Sequence, residues 1–543
     1  MHSDQNFSKS GFTPTLSRVA VFLAAIGGTV GSGWLLTSFH AAEVAGPAAI
    51  FSWIIGGLLM MFIGYTFVIL TRTMPITGGT VRFLQISHGH FTGFSFAWIA
   101  WIAWVAVTPN EILAIVQYAT NYMPSLMHKV NGSQTLTLRG LEVSIVLMIM
   151  MYFINIKGIQ WLSRMNMTIV VFKLVIPLAT FFILLFYSFH FHNFHTVHGF
   201  APFGFKGVLA ALPAAGVIYC FIGFNPAIQM ASEIKNPGKS IGFAVFGSTI
   251  FCIILYCLLQ VVFIGSLSPA SFAKGWQSIT FAGDAGPFAG MIMAIGITWF
   301  VKLLYVDAVI SPFGTGMVQA AATSRLTYGM AKNHYLPGFL VKVNNKQSPA
   351  NAAAFNIIIG LVFFLPFPTW QKMMSFLTSC IVIGYVVGPI SLSTLYHTMP
   401  EQMKSHSRWK IEVISLFAFY ICNLIIFWVG WQVVYKILIT FAIGYGLLFC
   451  YKLFSRKGRE LHLNIAHGWW VLPYLIGMGV LSYLGSYGGG RNDLPFGWDF
   501  VAMALFSIVI FYIALKLSTG GDASVKVHQR VAQIKSSMAS NDD

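Results

Sequence analysis

Apolar runs long enough to cross about 30 Å of hydrocarbon recur along the whole chain. Judged by length and by the short polar stretches between them, they fall near 16–42, 47–71, 93–121, 140–158, 164–189, 206–230 and 241–266. Others follow near 288–330, 350–367, 373–396, 411–430, 432–452, 468–486 and 498–516, so about fourteen helical crossings are expected. The run 288–330 has room for two crossings around Lys302 and Asp307, but counting it twice puts Arg325, Lys332, Lys342 and Lys346 on the outer side. It is read as one long or broken eighth helix, with Pro312 as its bend.

Two of these runs are interrupted. The first contains Ile26-Gly27-Gly28-Thr29-Val30-Gly31-Ser32-Gly33, and the sixth contains Tyr219-Cys220-Phe221-Ile222-Gly223-Phe224-Asn225-Pro226. Hydrocarbon cannot satisfy the N–H and C=O groups freed by such a break unless they line a cavity or a ligand. Breaks in corresponding places of two halves point to a secondary transporter.

Composition supports a membrane-embedded chain, because 57% hydrophobic and only 9% charged residues would leave a soluble fold with far too much apolar surface. The formal charge of +17 raises the question of nucleic acid, yet the basic residues are spread over short loops and form no single patch. They fit the positive-inside rule instead, with a roughly fourfold excess of Lys and Arg on one side. That bias places both termini in the cytoplasm and the chain in the cell (inner) membrane, with no nucleic-acid partner. The first fifteen residues are polar without a cleavage-like site, so the first span is expected to be retained. The tail after Leu517 reads as flexible.

Chemistry for an enzyme is missing from the motifs: no HExxH, nucleophile elbow or P-loop occurs. The six cysteines sit in apolar segments without metal-ligand spacing and read as packing residues. His190, His192, His195 and His198 crowd one loop at spacings that can hold zinc, but a wet external loop accounts for them, and neither metal nor cofactor is expected. Trp98, Trp101 and Trp104 recur every three residues; lipid-facing or interface packing is the commoner use of such a stripe.

The motifs resemble those of amino acid permeases of the amino acid, polyamine and organocation superfamily. The resemblance rests on Val30-Gly31-Ser32-Gly33-Trp34, Ala45-Gly46-Pro47-Ala48 and Met74-Pro75-Ile76-Thr77-Gly78-Gly79. It continues in Phe221-Ile222-Gly223-Phe224, Glu233-Ile234-Lys235-Asn236-Pro237-Gly238-Lys239 and Ser324-Arg325-Leu326-Thr327-Tyr328-Gly329. Within the superfamily the chain is most similar to bacterial aspartate–proton symporters, through Asp307-Ala308-Val309-Ile310-Ser311-Pro312 and Phe200-Ala201-Pro202-Phe203-Gly204-Phe205.

The resemblance implies an all-α, LeuT-like bundle of two inverted five-helix repeats with discontinuous helices 1 and 6. On this scheme 1–15 is a cytoplasmic tail, 16–200 the first repeat, 201–400 the second, 401–517 four additional helices and 518–543 a second cytoplasmic tail. An amino acid would sit at midplane between the two breaks. Backbone N–H groups near Gly31, Ser32, Gly33 and Trp34 would start a helix and carry partial positive charge, which suits an α-carboxylate. Carbonyls near Ile26, Gly27, Tyr219 and Ile222 suit an α-ammonium, with Gly223 and Asn225 beside them. The alternative use of these glycines is close helix packing.

Ionisable groups inside a bilayer cost about 2.5–3.5 kcal/mol each and are rarely idle. Glu111, in Pro109-Asn110-Glu111, Lys173 in the fifth helix and Asp307 in the eighth are the candidates for coupling transport to protons. Lys173 resembles the fifth-helix lysine of proton-coupled family members, and it leads the three; its alternative is a permanent ion pair with Glu111 or Asp307. Glu111 and Asp307 are candidates either to accept protons or to orient the substrate ammonium. Lys302, Lys173, Asn110, Asn225 and Thr315 are the candidate partners for a second substrate carboxylate. The function expected is proton-coupled uptake of aspartate or another acidic amino acid. An exchanger of the same fold and a symporter of neutral amino acids are the alternatives, and oligomeric state is left open.

Overall fold

The computed structural model describes residues 14–130, 133–195, 199–279, 286–367, 369–399, 407–454, 456–459, 461–519 and 525–532. The helices are α1 Arg18–Thr29, α2 Ser32–Ala45, α3 Ala49–Thr73, α4 Gly79–His88, α5 His90–Ala119, α6 Leu138–Asn155 and α7 Ile159–Tyr187. They continue as α8 Gly204–Ala214, α9 Asn225–Gln229, α10 Pro237–Gly265, α11 Pro287–Ala294, α12 Thr298–Lys332, α13 Ala350–Val362, α14 Trp370–Tyr385 and α15 Val387–Thr398. The remainder are α16 Arg408–Val429, α17 Trp431–Phe454, α18 Arg456–Arg459, α19 Ile465–Gly468, α20 Val471–Leu484 and α21 Trp498–Thr519. A short hairpin, β1 Met127–Val130 with β2 Ser133–Leu136, connects α5 to α6.

Among the described residues, eleven helical runs are long and apolar enough to cross a membrane, or twelve if α8 and Tyr219–Gln229 count as one span bent by 47°. That measure falls short of the fourteen expected, because α1 and α13 have only 12 and 13 residues and are too short to cross alone. One of the eleven runs, Ser32–Thr73, is 42 residues long and is divided at Gly46, whose φ of 63° and ψ of −148° leave the helical region. Trp53 near the start of α3 donates to Gln260 Oε1, which lies late in α10, and Gln260 Nε2 donates to Ser38 O in α2. Arg72 at the end of α3 lies against Gly242 at the start of α10. α3 therefore runs antiparallel to α10, with its beginning level with the middle of α2.

Several expectations change. The eighth helix passes through Pro312 uninterrupted, and the interruption falls instead at Gly296, φ 82°, between α11 and α12. Residues 79–88, which lie between two of the expected crossings, form α4, buried from end to end. Gly78 precedes it at φ 70°, a conformation glycine adopts without penalty, and a Cβ there would lie 3.1 Å from the Arg325 carbonyl oxygen. The C-terminal tail is not wholly loose: residues 525–532 are helical, with Val527 and Val531 buried and Arg530 donating to the Gln85 and Ile86 carbonyls that end α4. Trp98, Trp101 and Trp104 do not face lipid; all are buried, and Trp101 donates to Thr327 and Asn356 across the helix packing.

Candidate functional site

The break in the first span is confined to Val30 and Gly31, between α1 and α2. Ile26 to Thr29 are helical, and the Ile26 carbonyl accepts from the Val30 N–H, so it is not free as expected. The next carbonyls are bonded by side chains from other helices. Gly27 O accepts from Lys173 Nζ at 2.6 Å and from Thr315 Oγ1 at 2.8 Å. Gly28 O accepts from Gln319 Nε2 at 3.1 Å, and Val30 O accepts from Thr315 Oγ1 at 3.0 Å and Ser311 Oγ at 3.2 Å.

Across the break, the start of α2 holds a carboxylate supplied by the protein. The Ser32 N–H donates to Glu111 Oε2 at 2.8 Å, Ser32 Oγ donates to Glu111 Oε1 at 2.9 Å, and Tyr219 OH donates to the same oxygen at 2.6 Å. Trp370 Nε1 donates to Ser32 Oγ at 2.8 Å. Glu111 thus sits at the positive end of α2 and Lys173 at the negative end of α1, each where the helix dipole favours its charge. Gly31 allows this approach: a Cβ there would lie 2.7 Å from Glu111 Oε2 and 2.6 Å from Thr315 Oγ1.

Asp307 lies one turn from Ser311 on α12, is fully buried, and accepts from Trp34 Nε1 at 3.2 Å through Oδ2. Its Oδ1 has no partner among the described residues. The structure therefore gathers Glu111, Lys173, Ser32, Gly31 and Tyr219 around one break, with Asp307 and Trp34 adjoining it. Lys302 is exposed and does not join them.

The second break is displaced from its expected position. It falls at 215–218, where Gly216 has φ 89°, whereas Tyr219–Phe224 is a tight 3-10 helix leading into α9. The Ile222 carbonyl is accordingly taken by the Asn225 N–H. Gly27, Gly33 and Gly223 serve close packing: a Cβ on them would run into Asn166, Cys220 and Thr29 respectively. Asn225 Oδ1 accepts from Gln229 Nε2 at 3.1 Å, while its Nδ2 is buried without a partner among the described residues. Residues 25–38 and 215–231 are all buried, so the break is enclosed on every side.

On the side of the chain's N-terminus, Arg325 Nε and Nη2 donate to the two Glu233 oxygens at 2.7 and 3.1 Å, with both side chains buried. The Thr15 and Leu16 N–H groups donate to the Glu233 carbonyl, and Lys235 N–H donates back to Leu16. On the other side His40 stacks on Trp370, 5.9 Å between ring centroids. Trp370, Gln319 and the Glu233–Arg325 pairing went unrecognised from the sequence. From the sequence Thr315 reads only as a carboxylate partner. His190, His192 and His195 are exposed, and His198 lies outside the described residues.

Residues 16–447 match the family described as "Amino acid permease". The chain belongs to that family. This permease is 37% identical over 502 residues to the "Glutamate/serine transporter AimA" of Bacillus subtilis (strain 168), with 92% of each chain covered. It is 29% identical over 511 residues to the "Aspartate-proton symporter" of the same organism, covering 93% of the permease and 97% of that protein. A third relative there, "Branched-chain amino acid permease BcaP", is 24% identical over 452 residues, 81% and 92% of the two chains. The permease is a multi-pass membrane protein of an amino acid transporter family.

Proposed function

We propose that this permease is a proton-coupled importer of acidic amino acids, aspartate or glutamate, of the inner membrane, with both termini cytoplasmic. In this reading α1 and α2 form one broken crossing, as do α8 and Tyr219–Gln229. Counted so, the helices make a LeuT-like five-plus-five bundle with four additional crossings. The observation that carries the proposal is the Glu111 carboxylate on the N-terminus of α2, held by Ser32 N–H, Ser32 Oγ and Tyr219 OH. It occupies the seat that a substrate's α-carboxylate would take.

A proton delivered to Glu111 turns the carboxylate into a neutral acid, weakens the charge-assisted bonds from Ser32 and Tyr219, and frees the α2 terminus for the substrate. Movement of Lys173 away from Gly27 O then opens a carbonyl for the α-ammonium. The lysine becomes the cationic partner of the side-chain carboxylate. Asp307, with one oxygen unbonded, is the second proton site. Ion coupling works here by differential stability of the closed and open forms.

Aspartate at neutral pH is a monoanion, so one accompanying proton makes transport electroneutral. A neutral amino acid with one proton moves a charge, worth about 2.3 kcal/mol per 100 mV. Serine in the name of the 37% identical relative corresponds to that second case. The test is uptake of labelled aspartate, glutamate and serine into proteoliposomes under separately imposed pH and voltage gradients. An inward proton gradient should concentrate aspartate or glutamate with little response to voltage. If neither accumulates nor competes, the substrate class is wrong; counterflow without gradient-driven accumulation makes the protein an exchanger. Full uptake by Lys173→Ala would remove that residue from the coupling scheme.

A further inference from the structure

Away from the break, three cations from three helices meet in an open cleft of about 420 Å³: Arg18 at the start of α1, Arg72 in the last turn of α3 and Lys239 in the first turn of α10. All three are exposed, and among the described residues none is in an ion pair. The carboxylate nearest in sequence to Lys239, Glu233, already gives both oxygens to Arg325.

The cleft is shaped as well as charged. The Arg18 guanidinium lies 4.1 Å from the centre of the Phe243 ring, a cation–π contact that fixes its head group. Gly242 lets the Arg72 guanidinium lie against α10, since a Cβ would be 2.6 Å from Arg72 Nη2. Gly247 and Phe246 complete the wall.

What adjoins the cations decides the ligand. Phe243, Ile250 and Ile254 are exposed on α10 at spacings of seven and four, so they share one face that runs from the cleft along the helix. Leu58 and Phe62 are exposed on the neighbouring α3. A cationic cleft at helix ends, beside exposed apolar side chains on the same two helices, complements a phosphate head group with attached acyl chains. A free anion would use the cations alone.

The geometry points to a binding site for an anionic phospholipid, its phosphate held by Arg18, Arg72 and Lys239 and its chains lying along α10. Basic clefts between membrane helices are a recurrent setting for such head groups. Because Arg18 opens α1, the bound lipid braces the helix that carries Gly27 to Lys173.

The test uses full-length protein, delipidated in detergent and titrated with phosphatidylglycerol, phosphatidylcholine or inorganic phosphate. Adducts are read by native mass spectrometry and stability by thermal melting. Phosphatidylglycerol should give a discrete adduct and a rise in melting temperature, and the other two neither. The triple variant Arg18→Gln/Arg72→Gln/Lys239→Gln should bind phosphatidylglycerol about a hundredfold more weakly, taking about 1 kcal/mol per basic residue. A charge-matched control, Lys342→Gln/Lys346→Gln/Lys410→Gln, should bind as the unmodified protein does. Equal binding by the triple variant, equal loss in the control, or the same stabilisation by phosphatidylcholine or inorganic phosphate overturns the assignment. A variant that fails to fold is replaced by Lys239→Gln alone, for which about a fivefold loss is expected and an unchanged affinity overturns the proposal.

Discussion

Replacing Glu233 by glutamine keeps its volume and removes its charge, leaving the Arg325 guanidinium in a site where the two side chains are only 1% and 2% exposed. Two short bonds, 2.7 and 3.1 Å, are lost as charge-assisted contacts. Breaking a buried ion pair by removing one partner costs about 3–5 kcal/mol. At about 1.4 kcal/mol per tenfold, the closed arrangement on this side should become at least about a hundredfold less favoured over the opened one. Thr15 and Leu16 N–H donate to the Glu233 carbonyl, and Lys235 N–H donates to Leu16, so these amides report opening directly. Hydrogen–deuterium exchange in nanodiscs should show residues 14–18 and 233–236 exchanging faster by a comparable factor, while the middle of α12 is little changed. The double variant Glu233→Gln/Arg325→Gln removes both charges, so its penalty should fall below the sum of the singles. Unchanged exchange in Glu233→Gln, or strict additivity in the double, would refute the idea that this pair holds the segment shut.

Gly78→Ala should lower the melting temperature, because it combines left-handed strain with a Cβ 3.1 Å from Arg325 O, together about 2–4 kcal/mol; an unaltered melt would contradict that contact. Burial pushes the His88 imidazole down to about 3, with His467 and Arg530 adding to the effect against the opposing bond to the Ala514 carbonyl. Since that carbonyl only accepts, Nε2 carries the proton and Nδ1 accepts from Ser87 Oγ, so the folded ring is neutral. The unfolded chain takes up a proton near pH 6.5 and the folded one does not, so this stability is present at higher pH and is lost as pH falls towards 3. Between pH 6.5 and 5 it amounts to about 2 kcal/mol, and His88→Gln should melt with less acid sensitivity than the parent protein. Val527→Asp puts a charge at a buried position of the 525–532 helix; trypsin should then cut at Lys526 and Arg530 faster, and an unchanged rate would show that the tail is not held by that contact.

Much of the architecture was legible because hydrocarbon thickness and helical rise fix how long an apolar run must be. The glycine-rich motif at residues 26–33 likewise marked a real interruption, and Glu111, Lys173 and Asp307 stood out as charges where charges are costly. The position of the second break was less legible. Gly223 lies in the motif that reads as the break, yet its missing side chain makes room for Thr29, and the turn belongs to Gly216 three residues before Tyr219. A glycine needed for close packing and one needed for positive φ look alike in sequence.

The chain alone determined that this is a membrane protein of interrupted helices with three ionisable groups at depth, because those facts follow from local composition and spacing. Only the tertiary structure decided how the freed backbone groups are satisfied. Helices remote in sequence bring Glu111, Lys173, Thr315 and Gln319 to the same break. Which donor meets which acceptor depends on the rotation and depth of each helix against its neighbours. Those are set by packing across tens to hundreds of residues, and no local pattern encodes them.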